Sequence, residues 1–189
     1  MNDFLTIIGV IAFFIYLLIT FVSSYPIISV LIMIVFLGSL IWNIYDKKRK
    51  EAEELQRLSD LDSIISEYQT NPIKFETFAA KIFSLNGYKN VQVTRGTNDG
   101  GKDIIMYKDG CKCIVEVKLY SRTNKIGREK IQKLHSAKID EKADFAILLT
   151  TSDFTKTAKE YAKKHSIDLV SGTDFVKMLP AHKQNNLAK

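Results

Sequence analysis

No lysine or arginine occurs before Lys47 in this 189-residue chain, and Asp3 is the only acidic residue ahead of Asp46. Two charge-free apolar runs fill that opening stretch, residues 4–22 and 27–45, with Ser23, Ser24, Tyr25 and Pro26 between them. Each is close to the roughly 20 residues that cross a hydrocarbon core. A cleaved signal peptide needs a basic start and small residues before a cleavage site, and Met1, Asn2, Asp3 and Phe4 supply neither. The two runs are therefore expected to form a transmembrane helical hairpin. All 27 Lys and Arg residues lie after Tyr45, and basic residues next to a span stay cytoplasmic. That places both ends in the cytoplasm at the cell membrane, with Trp42 and Tyr45 as an aromatic belt on the second span. Lys47, Lys48, Arg49 and Lys50 serve as the orientation signal and can meet anionic head groups.

Composition must be read in two parts. The 46% hydrophobic content averages apolar spans with a polar remainder, and the net charge of +6 arises almost wholly beyond Tyr45. Roughly 140 residues remain there, enough for one domain with its own core. A positive balance fits a polyanion and equally fits a domain close to lipid. Residues 46–70 read as a cytoplasmic helical linker continuing the second span as one helix. Leu55, Leu58, Leu61, Ile65 and Tyr68 recur at helical spacing, a stripe that packs on the domain or self-associates. Asn71 and Pro72 mark the boundary, because the residue before proline is pushed out of helix and proline suits a first helical turn.

Beyond that boundary, over residues 71–180, helices are expected at 72–86, 127–139, 154–165 and 173–179. Strands are expected at 91–95, 145–150 and 168–170, with a hairpin at 103–119. The order is α/β, with a central mixed sheet flanked by helices. Residues 181–189 read as a frayed tail.

The hairpin carries the chemistry. Asp109 and Gly110 stand between two β-rich runs, and a two-residue Asp-Gly loop is a strong hairpin signal. Counting outward from that loop sets Lys108 against Cys111 and Asp103 against Glu116, a cross-strand pair with Cβ atoms about 5 Å apart. The strand period of two returns Lys118 to the face of Glu116. Two carboxylates can hold a hard cation such as Mg²⁺ or Mn²⁺, with the Val117 carbonyl as a third ligand. An adjacent ammonium can orient water or offset charge in phosphodiester hydrolysis. Taken alone, the same three residues also describe an ordinary ion pair on a solvated strand.

Around this cluster, Gly100 and Gly101 permit close backbone approach, and Asp99 is an accessory acid or a loop former. Arg122, Lys125, Arg128, Lys130 and Lys133 form a basic stretch able to grip a phosphate backbone. Cys111 and Cys113 point to the face opposite Asp103 and read as small buried apolar residues, not zinc ligands. His135, His165 and His182 form no local metal or nucleophile pattern.

Several ordered segments resemble the catalytic domain of Mrr-type restriction endonucleases, within the PD-(D/E)xK nuclease superfamily. They are Phe75-Glu76, Asn86-Gly87-Tyr88, the run from Thr94 to Asp103, the run from Val115 to Tyr120, and the run from Leu149 to Ala158. The resemblance covers residues 72–179. It implies a restriction-endonuclease-like core with Asp103, Glu116 and Lys118 as the catalytic and metal-binding set. It further implies a supporting acid at Glu76 and a Gln132 facing the scissile phosphate. Many members of that family carry glutamine where this chain has Glu116, and the carboxylate favours metal binding. No winged-helix recognition domain accompanies the match, so recognition of methylated DNA is not implied. The reading is a membrane-anchored, Mg²⁺- or Mn²⁺-dependent endodeoxyribonuclease, in restriction or defence, with DNA, lipid membrane and a second copy of the chain as partners. The alternatives are a non-catalytic nucleic-acid or protein binding module at the membrane and a membrane-acting defence effector.

Overall fold

The computed structural model describes residues 16, 19–20, 23–94 and 101–180. The first apolar run therefore lies largely outside the described residues, as do Arg95, Asp99, Gly100 and the tail at 181–189. The chain divides into two compact units, residues 1–52 and 53–189.

The dominant element of the first unit is helix α1, Pro26–Arg57, whose residues from Glu53 on belong to the second; it opens on a proline whose missing N–H costs nothing in a first turn. It is long and apolar enough to cross a membrane, and no residue of its apolar window is buried inside the protein. Leu31, Ile32, Val35, Phe36 and Trp42 all stand exposed. Beyond the apolar stretch, Asp46 pairs with Arg49 at 3.0 Å and with Lys50 at 2.6 Å.

The single helix expected through residue 68 is instead two. Helix α1 stops at Arg57, and α2, Leu61–Tyr68, starts afresh. Asp60 adopts an extended conformation, and its carboxylate accepts the Asp62 and Ser63 N–H groups, each at 2.9 Å. An N-cap of this kind competes with helix continuation, which is why the break falls there. The break turns Leu58, Ile64 and Tyr68 into the core of the second unit, where Leu58 and Ile64 are completely buried. The Tyr68 hydroxyl donates to Glu54 at 2.9 Å, holding the last turns of α1 on the same unit. The apolar stripe thus packs on the domain.

Helix α3, Pro72–Leu85, is capped by Asn71, with proline in its first turn. It buries Phe75, Phe78, Ala79, Ile82 and Phe83. Five strands follow in spatial order: β1 Lys89–Val93, β2 Ile104–Lys108, β3 Cys111–Lys118, β4 Phe145–Thr150 and β5 Asp168–Val170. The first three pair antiparallel and the last three parallel, giving the expected mixed sheet. Strand β1 begins at Lys89, earlier than the expected 91–95, and its register shifts between Lys89 and Gln92. Asn90 takes φ 49° within that irregularity, a left-handed conformation that asparagine tolerates.

Helices α4, Arg128–Asp140, and α5, Lys156–Lys164, are the crossovers of the parallel half, and α6, Gly172–Met178, closes the fold. One face of the sheet packs Ile104, Met106, Val115, Val117, Ile147 and Leu149 against α3 and α6. The other packs Ile114, Ala146 and Leu148 against Ile131, Leu134, Ala158 and Ala162. Gly172 fits this close approach: a Cβ there would lie 2.4 Å from the Thr151 carbonyl oxygen, so a larger residue would force the backbone to shift.

Candidate active site

Asp109 and Gly110 both take positive φ, 51° and 83°, as a type I′ hairpin turn requires. Lys108 pairs with Cys111, and the register runs unbroken to Ile104 against Val115. The ladder ends at that rung, one short of the Asp103–Glu116 pair counted from the sequence. Asp103 is anchored on both sides: its N–H donates to the Val115 carbonyl at 2.7 Å, and its own carbonyl accepts the Thr94 N–H at 2.8 Å.

The three side chains meet. Lys118 Nζ lies 2.5 Å from Glu116 Oε1, 3.8 Å from Asp103 Oδ2 and 3.1 Å from the Val117 carbonyl oxygen. Asp103 Oδ2 also accepts the Val117 N–H at 2.6 Å. Asp103 and Glu116 are each only 6% exposed. Burial, followed by the neighbouring Glu116 charge, pushes the Asp103 carboxyl up to about 7, against the pull of the Val117 N–H and Lys118. Burial works against the Lys118 charge too, but the hydrogen bond and charge of Glu116, with Asp103, outweigh it and hold the ammonium above its ordinary value. Glu76, half-buried on α3, lies within electrostatic reach and pushes Asp103 the same way as Glu116.

Whether these residues fit a divalent cation is decided by the donors. Glu116 Oε2 is buried and has no hydrogen-bond partner among the described residues. A buried carboxylate oxygen without a partner is costly, and a cation would satisfy it. Among the described residues no three His, Cys, Asp or Glu side chains form a ready-made ligand group. The protein's donors are therefore two carboxylates and a backbone carbonyl. That hard, incomplete oxygen set suits Mg²⁺ or Mn²⁺, which keep waters and take further ligands from phosphate.

The other expected residues are not part of this cluster. Arg122 pairs with Asp62 at 2.8 Å, and Lys125 lies 3.9 Å from Asp153. Arg128 sits over the Tyr161 ring, 4.8 Å from its centroid. Lys130 and Gln132 lie on α4, the first half-buried and the second exposed. Lys133 runs its stem along Gly101, whose φ of 88° needs glycine and whose added Cβ would meet Lys133 Cε at 3.0 Å. Cys113 is buried on the face opposite Asp103, whereas Cys111 is only partly covered. Burial and then Asp168 push the Cys113 thiol up to about 12, which keeps it inert at neutral pH.

One grouping escapes sequence reading, and a second lies in the run from Leu149 to Ala158, which the family resemblance marks without giving its hydroxyls a role. His135 and His165 stack with ring centroids 4.3 Å apart, and Tyr161 hydrogen-bonds His135 Nδ1 at 3.1 Å. Their positions on separate elements give no local motif. Thr150, Thr151 and Ser152, all buried, end β4 beside Lys118. A hydroxyl run at the end of a parallel strand was the one available signal.

A five-stranded mixed sheet with a glutamate and a lysine on its central strand, and an aspartate just before the neighbouring strand, fits a restriction-endonuclease-like fold. The Mrr catalytic-domain model, described as restriction endonuclease, matches residues 68–179, and the chain belongs to that family. The type IV methyl-directed restriction enzyme EcoKMrr of Escherichia coli K12 is 28% identical over 142 residues, 71% of this chain and 45% of the relative. The y4cE protein of Sinorhizobium fredii is 33% identical over 89 residues, 45% of this chain and 22% of the relative. The chain thus spans less than half the length of these relatives. Among solved structures, the DNA modification-dependent restriction endonuclease AspBHI superposes with TM-score 0.55 at 24% identity, over 65% of this chain and 34% of that one. MspJI restriction endonuclease, in complex with a 27-mer oligonucleotide, superposes with TM-score 0.54 at 14% identity, over 68% of this chain and 33% of that one. At these identities the likeness is one of fold.

Proposed function

We propose that this chain is a membrane-anchored endodeoxyribonuclease that hydrolyses DNA phosphodiester bonds with Mg²⁺ or Mn²⁺. One observation carries the reading: Glu116 Oε2 is buried without a partner among the described residues, beside a second buried carboxylate and an ammonium. Asp103, Glu116 and the Val117 carbonyl would hold the cation, with Glu76 widening the acidic shell. The chemistry such a cation would supply there, when bound, is polarisation of a phosphoryl oxygen and activation of a water. Lys118, kept charged by its two acids, donates hydrogen bonds to the attacking water or to the phosphoryl oxygens and offsets negative charge as it develops. Arg122, Lys125, Arg128, Lys130 and Gln132 would contact the DNA backbone, giving affinity without sequence reading.

Anchoring rests on the two apolar runs, with the N-terminus and the nuclease domain in the cytoplasm. Cutting both strands calls for two sites, so the chain would act as a homodimer joined through its spans. The direct test uses the full chain in detergent with supercoiled plasmid and Mg²⁺ or Mn²⁺. Nicking and linearisation are expected, falling by about 100-fold or more in Asp103→Ala and in Lys118→Ala. Equal cleavage by all three proteins would contradict the assignment.

A further inference from the structure

The pairing of β3 with β4 ends at Lys118 against Thr150. Beyond that rung no ladder holds the chain, yet the backbone just past Lys118 is fixed by side chains. Thr151 Oγ1 accepts the Tyr120 N–H at 2.8 Å and donates to the Tyr120 carbonyl at 2.6 Å. One hydroxyl thus supplies both halves of a missing strand pair. Thr150 Oγ1 donates to the Lys118 carbonyl at 3.0 Å, and the Thr151 N–H reaches the same oxygen at 3.2 Å. Both threonines are completely buried.

The turn that carries them is itself held from behind. Ser152 N–H donates to Thr150 Oγ1 at 3.1 Å, and the Ser152 carbonyl accepts the Gly172 N–H at 2.9 Å. The absent side chain of Gly172 lets α6 close onto the Thr151 carbonyl. Threonine is suited to this duty because its branched Cβ restricts χ1, so the hydroxyl needs no further ordering.

We propose that Thr151, assisted by Thr150, is a positioning residue for the nuclease reaction: its hydroxyl clamps the Tyr120 backbone and thereby sets where the Lys118 ammonium stands relative to Asp103 and Glu116. The inference rests on the nuclease reading and names the part of the fold that keeps its ammonium in place. The lysine has several rotatable bonds and a single covalent anchor at its Cα. Its place between two acids 2.5 and 3.8 Å away follows from where that Cα is held. Removing the clamp frees the strand end on one side of Lys118 while leaving Glu116 on its rung against Leu148 and Asp103 bonded to Val115 and Val117.

Thr151→Val keeps shape and volume and removes the hydroxyl; Thr151→Ser keeps the hydroxyl. Each is made in the full chain in detergent, with Ile82→Val, buried on α3 away from the site, as a control for lost stability. Single-turnover cleavage by Thr151→Val is expected to fall by about 10- to 100-fold, the usual cost of a small misplacement. Its affinity for a labelled duplex should stay unchanged, serine should recover most of the rate, and Ile82→Val should cleave like the wild type. In parallel, without DNA, amide exchange at Tyr120 and the ¹⁵N shift of the Lys118 ammonium are read by NMR. Both are expected to move in Thr151→Val and to return in Thr151→Ser. If the wild type cleaves no DNA but the ammonium signal moves, the clamp stands and the nuclease reading falls. If the wild type cleaves and Thr151→Val matches it with an unmoved ammonium signal, the clamp is overturned. A rate loss equal to that of Ile82→Val, without serine rescue, likewise overturns it.

Discussion

Asp103 is where the proposed catalytic role and stability oppose each other. Its carboxyl is pushed up to about 7 by burial and by Glu116, so the folded chain binds a proton more tightly than the unfolded chain does. The sign follows: between the ordinary carboxylate value of 3.8 and about 7, stability of the metal-free protein falls as pH rises. The full effect is at most roughly 4 kcal/mol. Asp103→Asn can still accept the Val117 N–H and carries no charge. It should therefore melt higher than the wild type at pH 8 with a chelator present and match it near pH 4, while cleaving no DNA. The difference between the two proteins isolates Asp103 from the other titrating groups, and a constant difference across that range would contradict the assigned cause. Glu116→Gln removes the charge and half the ligating capacity at the unpartnered oxygen. It should raise the Mg²⁺ concentration for half-maximal cleavage by about tenfold or more, the scale on which metal sites respond to such losses. The triad was legible because an Asp-Gly turn and a period of two fix a register without tertiary information. Glu76 was legible only through the family resemblance, since no local spacing joins a helix to a hairpin. The pairing of His135 with His165 was not legible at all, because it depends on how α4 and α5 pack.

At the scale of elements, strands with strong turn signals were read closely, and β4 and β5 match their expected bounds. The failure was at residues 58–60, where unbroken helical spacing masked a stop. Leu55, Leu58, Leu61 and Ile65 fit one helical stripe, but only the fold's need for Leu58 and Ile64 in its core makes the Asp60 cap win over continuation. Leu58 is completely buried, so Leu58→Ala should destabilise the domain by about 2–5 kcal/mol in urea unfolding. A variant within experimental error of the wild type would show that Leu58 does not complete this core. Gly172→Ala drives a Cβ to within 2.4 Å of a backbone oxygen. The loss should be about 1–3 kcal/mol, because the backbone has to shift to admit it.

On the scale of the whole molecule, the residues that follow the apolar helix belong to the nuclease core and not to a spacer. Leu58 and Ile64 precede the stretch matched by the family model, yet they are buried in one core with Phe75, Phe78 and Phe175. A fragment beginning at Glu53 should melt cooperatively, whereas one beginning at Asn71 should aggregate or melt much lower; equal melting would show residues 53–70 to be dispensable. Hydropathy and charge lead to the expectation that the opening residues are membrane-spanning, and α1 is one helix long and apolar enough to cross a membrane. The account as a whole depends on the buried acids being a cation site. Mn²⁺ binding to the full chain, followed by electron paramagnetic resonance, tests that most directly. The wild type and Lys118→Met should both bind Mn²⁺, while Asp103→Ala and Glu116→Ala should not. Binding that is absent from the wild type, or unaltered by loss of either carboxylate, would contradict the account.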